Sequence, residues 1–217
     1  MPGKVAASIL SADFAYLGDQ VKLVEQHADL IHIDAMDAHF VPPLSVGPVV
    51  VESLRRVTDL PLHCHLMVEQ PELLLKDFAE AGADIVTAHV EAVEDPERIV
   101  RDAEALGIKA GLALNPQTGA DALFPYLEEL DRVIVMTLHR TGFAGQPFNE
   151  DKLPKIEAIR NHSDKHSRDA LLAATAQQEG AILVTNDGRL TRFAGRAGIE
   201  VWSSDSFAEF LQSCHRR

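Results

Sequence analysis

Short apolar runs typical of buried strands alternate with helical patterns roughly every 25 residues, the length of one βα unit. Six strand-like runs cover 5–10, 30–35, 62–67, 85–90, 109–114 and 132–138, and helical patterns cover 16–26, 48–56, 71–81, 96–106 and 120–128. Later strand-like runs at 181–187 and 199–203 accompany helical patterns at 167–179, 190–197 and 206–215. Such alternation predicts a parallel sheet with helices outside it. Eight strands predict an α/β protein, a (β/α)8 TIM-type barrel with residues 1–217 as a single domain.

Composition excludes several kinds of partner. The 217 residues include 33 acidic and 20 basic side chains, for a formal charge of −13, which argues against nucleic acid or an anionic membrane surface. A local pocket for a small anionic substrate remains compatible with that charge. The two cysteines, Cys64 and Cys214, imply no disulfide framework. No signal-type or membrane-spanning apolar stretch occurs, so we expect a cytoplasmic protein.

Two neighbouring strand-like runs carry metal-competent side chains at alternate positions. His32 and Asp34 share one face of the first, and His63 and His65 share one face of the second. A lone histidine on an apolar strand is commonly a satisfied core residue. Two adjacent strands of this kind are harder to explain by packing, since buried imidazoles and carboxylates are costly unless paired or bound to metal. We therefore predict a functional site at the carboxyl ends of the strands, where barrel active sites lie.

Other strand ends also carry groups suited to a site. Ser8 ends the first strand-like run, and three methionines at strand ends predict a soft wall that excludes water, namely Met36, Met67 and Met136. A glycine-bearing loop follows the sixth strand and contains Gly142, Phe143, Ala144 and Gly145. Such a loop is often only a turn, but its backbone N–H groups can also bind a phosphate.

Asp34 is the candidate acid/base residue. A carboxylate beside a divalent cation can remove a proton next to a ketone, because the cation stabilises the resulting enediolate. This chemistry needs a second acid on the opposite side of the substrate. Asp187, at the end of the seventh strand-like run, is the candidate for that role and for a further metal ligand. An equally good alternative is that Asp187 is only a turn residue at the end of its strand.

Four segments give the chain a specific family resemblance. Residues 5 to about 160 resemble the ribulose-phosphate 3-epimerase family, and in detail its allulose-6-phosphate 3-epimerase branch. The segments are SILSADF at 8–14, HIDAMDAHFVP at 32–42, CHLMV at 64–68 and GFAGQPF at 142–148.

The resemblance implies a (β/α)8 barrel that epimerises ribulose 5-phosphate or allulose 6-phosphate at C3. It implies a divalent cation (Zn, Mn, Fe, Co or Mg) held by His32, Asp34 and His65, with Asp34 as an acid/base group. It also implies Ser8 near the substrate, the 142–145 loop at the phosphate, and a homo-oligomer. His63 is then expected to support the site or to be structural.

The sequence departs from the family pattern at several places. Ala38 stands where the family usually has Gly, Pro43 where it has Asn, and the segment 138–142 is one residue longer. The family's Val-Asp-Gly-Gly motif and Gly-Ser phosphate turn are not recognisable. Instead, DALLAATA at 169–176 and LVTND at 183–187 resemble the C-terminal half of a PIN-domain nuclease, whose acidic positions Asp169 and Asp187 match.

We therefore predict a chimera in which an epimerase-like part, 1–162, is completed by a PIN-like part, 163–217. An ordinary surface loop at 161–167 with one inserted helix is the alternative. In the chimera, Ser203 and Ser204 at the start of the last helix could bind an anion in place of the missing turn. The leading function is metal-dependent 3-epimerisation, which the replaced C-terminus could impair. The alternatives are an inactive engineered scaffold and, less well supported, a PIN-type metal-dependent ribonuclease.

Overall fold

A six-stranded parallel sheet organises the protein. The computed structural model describes residues 6–143, 149–163, 183–184 and 201–202. Adjacent strands pair in sequence order from β1 to β6, and every pairing is parallel. The strands are β1 (Ala6–Ser8), β2 (Leu30–Met36), β3 (Leu62–Met67), β4 (Ile85–His89), β5 (Lys109–Leu114) and β6 (Arg132–Val135). The predicted parallel α/β architecture and these six strands are confirmed.

Helices connect the strands. The α-helices are α1 (Leu17–Val24), α2 (Pro48–Arg55), α3 (Leu75–Glu80), α4 (Pro96–Ala105) and α5 (Leu153–His162). The α-helix predicted for 120–128 is wrong in type, because a 3-10 helix spans Ala120–Tyr126 with Pro125 inside it. Proline has no N–H to donate and clashes with the preceding turn of an α-helix, which explains the difference. Within the described part of the chain, no helix is long and apolar enough to cross a membrane.

The two later strands are described over two residues each. Leu183–Val184 forms β7 and Val201–Trp202 forms β8, and the two pair in parallel as a separate two-stranded sheet. The helices predicted at 167–179, 190–197 and 206–215 lie outside the described residues. The structure thus describes a six-stranded parallel sheet, and the eight-stranded closed barrel stays a prediction.

Period-two alternation along β2 and β3 separates the core from the site. Ile31, Ile33 and Ala35 belong to the large apolar cluster, as do Leu62, Cys64 and Leu66 of β3, and helix residues such as Val51, Leu54 and Phe78 complete it. Because successive strand residues point to opposite faces, His32, Asp34 and His65 face away from these helices. The apolar faces of the strands therefore fix the direction of the polar side chains.

Candidate active site

The Asp34 carboxylate joins three strands. Parallel pairing places Ser8 opposite His32 and Asp34 opposite His65. The Ser8 hydroxyl donates to Asp34 Oδ2 at 3.1 Å. The other carboxylate oxygen, Asp34 Oδ1, lies 3.2 Å from His32 Nε2 and 3.2 Å from His65 Nδ1. One carboxylate is therefore contacted from β1, β2 and β3.

Three of these groups could hold a cation. One ligand atom from each of His32, Asp34 and His65 lies within 4.8 Å of the other two. Two imidazoles and a carboxylate suit Zn, Mn, Fe or Co better than Mg, which prefers oxygen ligands. The side chains are also largely shielded from water, since His65 is 2% exposed and Asp34 12%. The chemistry and spacing of these donors thus fit the divalent cation that the family resemblance implies.

Burial and hydrogen bonding shift the pKa values of this cluster. Burial acts to raise the pKa of Asp34, but attraction to His32 and hydrogen bonds with His32 and His65 hold that pKa well below its usual range. Burial lowers the pKa of His65 to about 4. Near neutral pH, Asp34 is therefore ionised and His65 is neutral, which are the states that metal ligands need.

His63 supports His32 from the neighbouring strand. His63 Nδ1 lies 3.2 Å from His32 Nδ1, and His63 Nε2 lies 2.8 Å from the hydroxyl of Thr87 on β4. His63 is fully buried, and burial holds its pKa well below the ordinary histidine value. The side chain contacts His32 and lies outside the set of candidate ligands.

A cavity of about 240 Å³ lies over the cluster. It is lined by Ala6, Ser8, His32, Asp34, His65, Ile134 and Met136. Since residues of β1 to β3 and residues at the β6 end border one cavity, the sheet curves around it. Met36 and Met67 do not line this cavity in the described structure and instead pack with Val41. Of the three predicted wall methionines, only Met136 borders the cavity.

Of the remaining predicted site residues, Gly142 and Phe143 are described by the structure and the others are not. Gly142 has φ +88°, and a Cβ there would come within 2.8 Å of Val41 Cβ, so glycine permits both the turn and the close approach. The Phe143 ring lies 4.7 Å from the Arg140 guanidinium carbon. Ala144, Gly145, Asp187, Ser203 and Ser204 lie outside the described residues.

Two residues that were not predicted from the sequence, His89 and Glu91, adjoin the cluster of His32, Asp34 and His65. His65 Nε2 lies 2.9 Å from Nε2 of His89, and His89 Nδ1 lies 3.2 Å from Oε2 of Glu91. The available signal was the pattern His89-Val90-Glu91 at the end of β4, which repeats the His-x-acid pattern of His32 and Asp34.

Comparison with known proteins identifies the family. The profile of the Ribulose-phosphate 3 epimerase family matches residues 4–188. The chain belongs to this family. The ribulose-phosphate 3-epimerase of Bacillus subtilis is 44% identical over 198 residues, covering 89% of this chain and 91% of that protein. The Synechocystis ribulose-phosphate 3-epimerase is 38% identical over 213 residues, covering 95% and 90%. The predicted enzyme class, a carbohydrate-phosphate epimerase, is confirmed.

More distant solved structures share the fold. The 3-keto-L-gulonate-6-phosphate decarboxylase of Vibrio cholerae is 13% identical, with a TM-score of 0.61 over 94% of this chain and 88% of that one. A tryptophan synthase α-subunit mutant from Pyrococcus furiosus is 12% identical, with a TM-score of 0.59 over the same shares, 94% and 88%. At such identities the likeness concerns the fold alone, and it is consistent with a TIM-type fold.

The comparisons do not support the predicted chimera. The family match continues to residue 188, beyond the junction expected at 161–167, and the match to the Synechocystis protein covers 95% of the chain. A PIN-like origin for 163–217 thus gains no support. The alternative, an ordinary surface loop at 161–167 with one inserted helix, stays a prediction, since residues 164–167 lie outside the described residues.

Proposed function

We propose that the chain catalyses metal-dependent 3-epimerisation of a ketose phosphate, ribulose 5-phosphate or allulose 6-phosphate, within a single barrel domain of residues 1–217. The observation that carries the proposal is the Asp34 carboxylate, which borders the cavity and is contacted by Ser8, His32 and His65. Relatives named ribulose-phosphate 3-epimerase at 38% and 44% identity support this substrate class.

His32, Asp34 and His65 would hold the divalent cation, with Asp187 as a proposed further ligand. When bound, the cation supplies positive charge that stabilises an enediolate. Zn, Mn, Fe and Co suit the mixed nitrogen and oxygen donors best, and Mg less well.

The protein's own groups would move the C3 proton. The ionised Asp34 accepts the proton from one face, while the Ser8 hydroxyl holds Asp34 Oδ2 and orients the carboxylate. Asp187 returns a proton to the opposite face. Residue 187 lies within the 4–188 stretch that the family profile matches, so this proposed role falls inside the family-like part of the chain. Apolar Ile134 and Met136 border the same cavity and would exclude water from the intermediate.

Phosphate binding is assigned to backbone N–H groups of the 142–145 loop, together with Ser203 and Ser204. The homo-oligomer likewise belongs to this proposal. The proposal does not assume that the C-terminal part impairs catalysis, because the family profile matches the chain as far as residue 188.

Proton exchange in deuterated water tests the proposal. With Mn²⁺ and either ribulose 5-phosphate or allulose 6-phosphate, we expect deuterium at C3 and formation of the epimer, both followed by NMR. Asp34→Asn removes the proposed base and should lower the exchange rate by about 10²- to 10⁴-fold.

Asp102→Asn is the matched control, because Asp102 lies on α4 and pairs with Arg98 away from the cavity. This variant should exchange the C3 proton at the wild-type rate. Absence of both label and epimer with either substrate would contradict the proposed function. If the protein then still binds one equivalent of cation, the inactive-scaffold alternative is the one that remains.

A further inference from the structure

Ser45 contacts the main chain of β2 at the end that carries Asp34. After β2 the chain folds back, with an antiparallel bridge between Asp37 and Leu44. The Ser45 hydroxyl then donates to the Asp34 carbonyl oxygen at 2.6 Å and accepts from the Met36 N–H at 2.9 Å. The Ser45 N–H donates to the Met36 carbonyl oxygen at 3.2 Å. One residue outside the strand therefore makes three hydrogen bonds to the main chain at the end of β2.

The first strand of the sheet ends before β2 does. β1 pairs with β2 only as far as Ser8 and His32, and the Ile9 N–H then donates to the His32 carbonyl oxygen at 3.1 Å. The Ala12 N–H donates to the Ile9 carbonyl oxygen at 3.0 Å, so the chain turns directly after β1. Because β2 continues to Met36, its last residues extend past the end of the neighbouring strand.

Ser45 takes the place of β1 beside these last residues. In a parallel pair, alternate residues of a strand direct their N–H and C=O groups towards the same neighbour. The His32 carbonyl faces β1, so the Asp34 carbonyl and both main-chain groups of Met36 face the same edge, beyond the end of β1. The Ser45 hydroxyl and N–H thus bind main-chain groups that β1 is too short to reach.

A hydroxyl suits this position because it can donate and accept at the same time. Alanine at position 45 would leave the Asp34 carbonyl and the Met36 N–H, which are partly buried, without this partner. Unpaired main-chain groups are costly, so the strand end would lose its fixed position. The side-chain contacts of Asp34 orient its carboxylate, whereas Ser45 holds the main chain that carries it.

We propose that Ser45 is a positioning residue that holds Asp34 at the cavity through the main chain of β2. The proton transfer described above assigns no role to Ser45. The effect on catalysis rests on the proposed function, in which Asp34 is the base. The anchoring of the strand end is a property of the protein without cation or substrate, so the two can be tested separately.

Amide hydrogen exchange followed by NMR tests the anchoring in the substrate-free protein. In Ser45→Ala, we expect the Met36 amide to exchange about 5- to 10-fold faster, the effect of losing one hydrogen bond. The Ile31 amide is the internal control, because it donates to the Pro61 carbonyl oxygen at 2.9 Å on the side of β3 and should keep its rate. Equal acceleration of both amides would indicate a general loss of stability and overturn the local role. Unchanged exchange at Met36 would overturn it as well.

Epimerisation kinetics test the effect on Asp34. At saturating Mn²⁺, Ser45→Ala should lower kcat by about 10- to 100-fold, because a small displacement of a catalytic group is enough to slow a reaction. KM should change little, since Ser45 is not among the residues that line the cavity in the described structure. Ser45→Thr keeps a hydroxyl that can donate and accept, and it should retain most of the wild-type rate.

Ser53→Ala is the matched control. The Ser53 hydroxyl also donates to a main-chain carbonyl, that of Val49 at 2.9 Å, and accepts from the Arg56 guanidinium at 3.2 Å, but Ser53 is exposed on α2. This variant should keep wild-type exchange at Met36 and wild-type kcat. Unchanged kcat in Ser45→Ala, or equal losses in Ser45→Ala and Ser45→Thr, would overturn the positioning role. If the Met36 amide responds as expected but the wild-type protein epimerises neither substrate, the proposed function fails while the anchoring stands.

Discussion

Ala38 adopts a backbone conformation that favours glycine. It is the one non-glycine residue with positive φ, +62°, in the part of the chain that the structure describes. The turn around it is well bonded: Asp37 Oδ1 accepts from the N–H groups of His39 and Phe40 at 2.8 and 2.9 Å. Ala38 N–H also donates to the Pro43 carbonyl oxygen at 3.0 Å. These hydrogen bonds hold alanine in a conformation that costs about 1–2 kcal/mol.

Replacing Ala38 by glycine should therefore stabilise the protein. The relief of about 1–2 kcal/mol exceeds the roughly 0.4–1 kcal/mol that glycine adds to the entropy of the unfolded chain. We expect Ala38→Gly to raise the free energy of unfolding in urea by about 0.5–1 kcal/mol. Ala105→Gly, in the last turn of α4, should lower it. A lower stability for Ala38→Gly would contradict the strain at this turn.

The titration of His65 predicts a pH-dependent stability for cation-free protein. Burial lowers its pKa from 6.5 to about 4. Between these values the unfolded chain binds a proton that the native state excludes, so stability falls as pH decreases from 6.5 towards 4. The contribution of this one group is about 1.4 kcal/mol per pH unit.

Urea unfolding in the presence of a chelator measures this slope. We expect His65→Gln to flatten the loss of stability between pH 6.5 and 4. His139→Gln replaces an exposed histidine and should keep the wild-type slope. Equal slopes for wild type and His65→Gln would show that the native His65 takes up its proton as readily as in the unfolded chain.

At the scale of elements, β4 and β5 approach each other closely where Thr87 contacts a residue of the site. Gly111 of β5 lies opposite Thr87 of β4. A Cβ on Gly111 would collide with the Thr87 hydroxyl oxygen and come within 2.9 Å of the Arg132 carbonyl oxygen. The Thr87 hydroxyl contacts His63, and His63 contacts the candidate ligand His32. Because glycine has no side chain, position 111 leaves room for the hydroxyl that makes the first of these contacts.

Gly111→Ala should consequently disturb both stability and the site. We expect a loss of about 1–3 kcal/mol, the usual effect of overpacking a core, together with slower C3 exchange. Gly18→Ala is the control, because its Cβ would meet only Val57 at 3.4 Å. This control adds a methyl group within α1 and should stabilise the helix by about 0.5–1 kcal/mol. Wild-type stability and exchange in Gly111→Ala would contradict the tight approach of these strands.

At the scale of the whole molecule, the described six-stranded sheet supplies six of the eight strands that the predicted barrel needs. The described sheet ends at β1, which borders the cavity through Ala6 and Ser8, and at β6, which borders it through Ile134. Our proposal of one barrel domain requires the chain after residue 163 to complete it. Trp202 of β8 is the one tryptophan in the sequence and therefore reports on this later part.

Unfolding followed by two probes tests the single domain. Tryptophan fluorescence follows the surroundings of Trp202, whereas far-ultraviolet circular dichroism reports on the strands and helices of the whole chain, including the six-stranded sheet. If 1–217 forms one cooperative domain, the two urea transitions should coincide. Separate midpoints would show that the C-terminal part unfolds independently of the six-stranded sheet.

Prediction from sequence succeeded where the alternation of residues along a strand decides which face each side chain occupies. Alternation along β2 and β3 correctly placed His32, Asp34 and His65 on a common face, and Ser8 followed from its place at a strand end. It failed at Ala120–Tyr126, where Pro125 overrides an apparently helical pattern. It also missed His89 and Glu91, although His89-Val90-Glu91 repeats the His-x-acid pattern, because that pattern does not show that His89 of β4 contacts His65 of β3.

Residue order alone thus specifies the alternation of strands and helices, the faces of the strands and the chemical types gathered at their ends, because these depend on local periodicity. The tertiary structure sets the atoms that meet. Strand register brings Asp34 opposite His65, and packing aims one nitrogen of His65 at Asp34 and the other at His89. Neighbours distant in sequence select the side-chain rotamers and the strand register, which is why only the folded chain shows which residues contact a candidate ligand.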